Sequence, residues 1–222
     1  MIGKGIIEVF VEHYDLFLLG LLGTLRLSFI AVFFGLLIGT VIAVMHLSKN
    51  KVLKTFAKIY VEILRGTPLL VQIYLVYFFL PMIFPIFNVL SADASVVIAL
   101  LLNSSAYISE VIRGGINSVD KGQSEAAMSL GMSSKNCMIR IILPQAVKNI
   151  LPALGNEFIT MVKETSIAAV LMVNELMFVK TILANQFLIW QPIVIVAIIY
   201  LFVNIVLSQL VGLMERRLSV SD

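Results

Sequence analysis

Residues 27–47 read LSFIAVFFGLLIGTVIAVMHL, without a single Asp, Glu, Lys or Arg. A helix of about 20 mostly apolar residues crosses a hydrocarbon core about 30 Å thick, so this segment alone suffices for one span. The apolar stretch begins at Leu16 and is interrupted only by Arg26, which is expected to snorkel to the outer interface. The first span is therefore set at about residues 16–47. Upstream, Met1 to Asp15 holds one lysine against Glu8, Glu12 and Asp15. That lacks the positive start of a cleaved signal peptide, so the apolar stretch is expected to stay in the membrane.

Composition extends the reading to the whole chain. Of 222 residues, 60% are hydrophobic and 13% charged, with a mean hydropathy of +1.03. Soluble domains carry about 45–50% apolar and about 25% charged residues. The surplus implies a lipid bilayer as solvent. The net charge of +3 does not imply nucleic acid, because the basic residues lie between apolar runs rather than on one face. Cys137 has no partner for an intramolecular disulfide, and neither it nor His13 and His46 has neighbours at metal-ligand spacing.

Four further spans complete an all-α membrane domain covering residues 1–222. They are expected at about 57–80, 93–112, 149–173 and 190–214, with Pro81 and Pro85 ending the second and Pro192 in the first turn of the last. The fourth contains Glu157, Lys163 and Glu164, each costing about 2.5–3.5 kcal/mol at mid-membrane. It is retained because these residues share a helical face. One set of connecting segments holds Lys49, Lys51, Lys54, Lys58, Arg113, Lys121, Lys135, Arg140, Lys148, Arg216 and Arg217; the other holds only Lys4 and Lys180. By the positive-inside rule the N-terminus is expected outside and the C-terminus in the cytoplasm.

The loop 113–148 is then cytoplasmic and has its own pattern. Asp120 to Gln123 reads as a turn, Ser124 to Leu130 as a short helix stopped by Gly131, and Ser133 as the cap of a helix running to Pro144. Such a helix either docks into another protein, with Ala126 and Ala127 permitting close approach and Glu125 accepting a charged hydrogen bond, or rests on lipid headgroups.

Glu125-Ala126-Ala127, three residues, Gly131, nine residues, then Ile141-Ile142-Leu143-Pro144 resembles the EAA loop of ABC importer permeases. Arg65 to Gln72 (RGTPLLVQ), Ser105-Ala106-Tyr107, Arg113 to Ile116, Gly122-Gln123, Leu143 to Ala146 and Lys163 to Ser166 resemble the polar amino acid branch. Glu164 departs from it, since Asp is more often expected there. The resemblance implies an alternating-access permease in a bacterial plasma membrane, with Glu125, Ala126, Ala127 and Gly131 on the coupling helix. It also implies three partners: an ATP-binding cassette subunit, an extracytoplasmic amino acid-binding protein and a second permease chain. The chain itself would need no cofactor, ATP–Mg being bound by the ATPase. Consistently, the sequence contains no G-x-x-x-x-G-K-[ST] loop and no nucleophile–base pair, so it is not expected to be an enzyme.

Ionisable groups inside spans point to function, because lipid exposure is so unfavourable. Asn156, Thr160, Lys163 and Glu164 recur at helical spacing, with Glu157 beside them. One reading has this face line the pathway, Lys163 and Thr165 serving a carboxylate and Glu157 or Glu164 an ammonium; Ser166 follows directly. The other is an internal Lys163–Glu ion pair. Arg65, Thr67 and Gln72 sit around Pro68, a helix kink, and are candidates to face the same path. Glu62 with Arg65, and Glu110 with Arg113, are i,i+3 pairs that alternatively neutralise each other. Two rival functions remain: an ion-coupled carrier using Glu157 and Glu164, which leaves the loop motif unexplained, and an assembly factor, which leaves the polar stripe without a purpose.

Overall fold

The structure, a computed structural model, describes residues 5–187 and 189–219; Lys4, counted in the charge asymmetry, lies outside them. In chain order the helices are α1 (Ile6–Glu12), α2 (Tyr14–Leu47), α3 (Lys51–Gly66), α4 (Leu69–Tyr74), α5 (Leu80–Ile83), α6 (Ala92–Asn117), α7 (Lys121–Ser129), α8 (Ser134–Cys137), α9 (Leu143–Glu164), α10 (Leu176–Phe187) and α11 (Gln191–Ser219). A π turn, Leu75–Phe79, joins α4 to α5, and another, Met138–Ile142, joins α8 to α9. Among the described residues there is no strand.

Four helical stretches are long and apolar enough to cross a bilayer: Tyr14–Leu47, Ala92–Asn117, Ser134–Leu171 and Gln191–Leu218. The bent pair Lys51–Gly66 and Leu69–Ile83 meets the same measure only when its two halves are taken together. Along α2, Phe29, Phe33, Leu37, Val41 and Val44 form an outward stripe exposed by 48–64%. Their burial is left to lipid.

The opposite face of α2 is made of small residues. Ala31 and Ala43 are fully buried, and a Cβ at Gly39 would lie 2.8 Å from the Ser105 carbonyl oxygen of α6. Without a hydrophobic force between helices in lipid, such close backbone approach is what holds spans together. Gly39→Val should therefore force α2 from α6 and destabilise the fold by about 1–3 kcal/mol, read as a lower melting temperature in detergent.

Two expectations about the helices change. The span 57–80 is not one rod, because α3 and the α4–α5 segment meet at 106°. Pro144 does not end a helix: α9 continues straight out of the preceding π turn. Its wider backbone accommodates a ring that would otherwise collide with the Arg140 carbonyl and a position that lacks an N–H. The last span is α11, with Pro192 in its first turn as expected, and the separate helix α10 precedes it.

α10 is fastened by a buried carboxylate. Glu175 is 0% exposed; it accepts hydrogen bonds from the Met177 and Phe178 amides at 2.7 and 2.6 Å and from the Tyr200 hydroxyl at 3.1 Å. The Leu176 amide donates to Thr24 Oγ1 of α2 at 3.2 Å. Glu175→Leu would orphan the Met177 and Phe178 amides at about 1–3 kcal/mol apiece. Thermal unfolding should fall sharply, and Glu175→Gln should recover part of the loss.

Candidate functional site

The site begins at a missing hydrogen bond. In an unbroken helix the Leu64 carbonyl would accept from the amide of residue 68, but that residue is proline. Gln72 takes over: its Nε2 donates to the Leu64 carbonyl at 2.7 Å and lies 3.0 Å from both the Thr67 carbonyl and Thr67 Oγ1. Asn103 Nδ2 of α6 donates to Gln72 Oε1 at 3.1 Å. Thr67 Oγ1 also donates to the Ile63 carbonyl at 2.8 Å. The break is thus built and pinned by side chains, and it opens space beside it.

That space is a cavity of about 420 Å³ bounded by the Arg65–Leu69 break, Asn103 and Tyr107 of α6, and Glu157, Thr160, Met161 and Glu164 of α9. Small-molecule sites span about 300–1,000 Å³. A larger space of about 560 Å³ between α1, α2 and α11 is lined only by aliphatic and aromatic side chains and suits lipid tails better than a polar ligand.

Charge in the polar cavity is divided. The Arg65 guanidinium stacks on the Tyr107 ring, 5.1 Å from its centroid, a contact of about 0.5–2 kcal/mol. It also lies 3.5 Å from Glu110 Oε2. Glu157 is within electrostatic reach of both Glu164 and Arg65. One wall is therefore cationic and the other carries two carboxylates. Such a cavity offers complementary partners to a molecule bearing both an anionic and a cationic group.

Arg65, Thr67, Glu157, Thr160 and Glu164 line the cavity together, and Gln72 supports it from behind. Asn156, Lys163, Thr165 and Ser166 are not among its lining residues. Lys163 is exposed, and among the described residues no ion pair joins it to a glutamate. Thr165 is buried and donates to the Val162 carbonyl at 2.8 Å. Lys163 lies on a different face of α9 from Glu157, and Thr165 opens the 3₁₀ turn that follows α9. Arg65 does not pair with Glu62, which meets Lys58 at 3.6 Å instead. Glu110 gathers Arg65, the expected Arg113 (2.7 and 2.8 Å) and His46 (3.6 Å). Arg26 pairs with Asp93 of α6 rather than merely snorkelling. Asn103 was invisible in the sequence as a site residue; its only signal is an amide inside an apolar run.

The second feature is α7. It starts at Lys121, earlier than expected, because Asp120 Oδ1 accepts from the Gly122 amide at 2.6 Å. Ala127 is buried in a cluster with Cys137, Ile142 and Ala146, so it anchors the helix to its own chain. Glu125 and Ala126 are exposed, as are Met128 and Leu130. Gly131 has φ +84°, a left-handed conformation that ends the helix. The Met132 amide then donates to the Ala127 carbonyl at 3.1 Å. The result is a short ledge with one face seated and the other open.

Comparison with known proteins gives the family and the fold. Residues 18–220 match the family model described as binding-protein-dependent transport system inner membrane component. A permease protein of Rickettsia felis, provisionally named for glutamine transport, is 44% identical over 204 residues, 91% of this chain and 92% of its own. The arginine transport system permease protein of Bacillus subtilis is 38% identical over 206 residues, covering 91% and 92%. A crystal structure of an amino acid ABC transporter with histidines superposes with a TM-score of 0.92 at 44% identity, covering 96% of this chain and 99% of that one. The chain belongs to the family of inner-membrane components of binding-protein-dependent transport systems.

Proposed function

We propose that the chain is the permease subunit of an ATP-driven importer for a polar amino acid. The observation that carries this reading is the cavity at the Pro68 break, with Arg65 on one wall and Glu157 and Glu164 on the other. A zwitterionic amino acid presents a carboxylate to the guanidinium and an ammonium to the carboxylates. The relatives named for glutamine and arginine transport support the substrate class without selecting a member. Asn103 lies near the middle of α6, a depth that suits a pathway site.

A separate ATP-binding cassette subunit docks on α7, using Glu125, Ala126 and the end fixed by Gly131. That subunit binds ATP–Mg, and this chain requires no cofactor. A binding protein delivers substrate from outside. ATP-driven closure of the ATPase pair moves α7, and alternating access follows as the bundle opens to each side in turn. The excess of lysine and arginine at the α7 end supports a cytoplasmic C-terminus and an external N-terminus.

A second permease chain completes the path. α11 carries Asn204, Ser208, Gln209 and Gly212 along an outward groove, and among the described residues the buried Asn204 Oδ1 has no hydrogen-bond partner. Polar groups on a span require protein or water rather than lipid. Co-purification with a candidate ATPase tests the reading. A stable complex that hydrolyses ATP supports it; failure of every ATP-binding subunit tried to associate counts against it.

A further inference from the structure

The geometry of α3 fits a role other than half of a broken span. The α4–α5 segment packs along the spanning helix α6. Leu69 and Ile73 pack with Val96, Ala99 and Leu100 of α6, and Gln72 bonds Asn103. Since α3 meets this segment at 106°, it runs across the bundle direction. Its 16 residues carry Lys51, Lys54, Lys58, Glu62 and Arg65, a charge density that disfavours a place within the hydrocarbon.

Three faces divide this helix. Ala57 and Val61 are buried against Ile42 of α2. Val52, Phe56, Ile59 and Ile63, spaced i, i+4, i+7 and i+11, are exposed by 75, 56, 51 and 58%. Lys51, Lys54 and Lys58 recur at i, i+3 and i+7 on the remaining face and are exposed. Among the described residues only Lys58 of these meets a carboxylate, Glu62 at 3.6 Å. An apolar stripe beside a lysine row on a helix lying across the spans matches a helix buried at the headgroup boundary.

We propose that α3 lies in the membrane interface and binds anionic phospholipid, the phosphates held by Lys51, Lys54 and Lys58 and the acyl chains covered by the Val52–Ile63 stripe. Charge complementarity selects this occupant: an anionic leaflet attracts each nearby lysine by about 1 kcal/mol, about fivefold in affinity. The inference does not depend on what the chain transports.

The test uses the full chain in neutral detergent, titrated with phosphatidylglycerol or phosphatidylcholine, with melting temperature and bound lipid as readouts. Phosphatidylglycerol should stabilise the native protein. The triple variant Lys51→Gln, Lys54→Gln, Lys58→Gln should need at least about tenfold more lipid for the same effect. The matching triple arginine variant, and Lys121→Gln with Lys135→Gln as control, should behave as native. A glutamine variant that responds as native overturns the proposal, as does one that keeps its lipid response but no longer binds the ATPase. A second measurement is independent of these variants. A spin label at Phe56→Cys, in a Cys137→Ser background, should report a depth about 5–10 Å below the headgroups. A label in bulk water or at the bilayer centre rejects the interfacial position.

Discussion

Replacing Glu125 by arginine is expected to abolish ATPase binding while leaving the permease folded. Glu125 is exposed on α7 and pairs with nothing in its own chain among the described residues. Reversing a charge at a docking contact costs about 2–5 kcal/mol, so association should weaken at least about thirtyfold. Gly131→Val should act at the same place by another cause. No atom lies within 4 Å of a Cβ built there, so the substitution meets no clash. Its cost is backbone strain, because a side chain at φ +84° loses about 1–2 kcal/mol. The α7 end would unwind and present Glu125 wrongly. Pull-down of the ATPase, with the melting temperature of the isolated permease as control, checks both variants.

The second large effect concerns the cavity. Arg65→Ala removes its cationic wall and should raise the KM for uptake by about ten- to a hundredfold, the range for losing a hydrogen bond to a charged group. Glu157→Leu should have a similar effect through the ammonium of the substrate. Glu157→Gln keeps the shape and hydrogen-bonding capacity, so it should lose less. Merely structural residues would lower the amount of assembled complex and leave KM unchanged. Measuring complex yield and uptake kinetics together separates the two outcomes. Lys163→Ala offers a contrast: the residue is exposed and absent from the cavity wall, and KM should change little.

Local chemistry made much of this legible in the sequence. The run 27–47 needs no tertiary information to be read as a span, and Gly131 signals its turn through residue type alone. The α7 ledge was recognisable because its helix formers and stop residue lie within a dozen positions, but Ala127, expected to allow a partner close, is buried against its own chain. Other features depend on contacts distant along the chain. Asn103 meets Gln72 across 31 residues, and the Leu176 amide finds Thr24 across 152. Periodicity carries no record of such partners. Pro68 and Pro144 show a subtler limit. Both break the same backbone rule, yet one accompanies a bend of 106° and the other a continuous helix. The difference lies in what replaces the lost bond: the Gln72 side chain in the first case and a π turn in the second.

ATP-dependent uptake in liposomes tests the central claim most directly. The chain would be reconstituted with its candidate ATPase and binding protein, with ATP enclosed and labelled glutamine or arginine supplied outside. Accumulation that requires ATP, and that falls with Arg65→Ala and Glu125→Arg, is the predicted result. Accumulation that persists without ATP and follows a proton or sodium gradient would contradict it, and would make Glu157 and Glu164 ion-coupling groups instead.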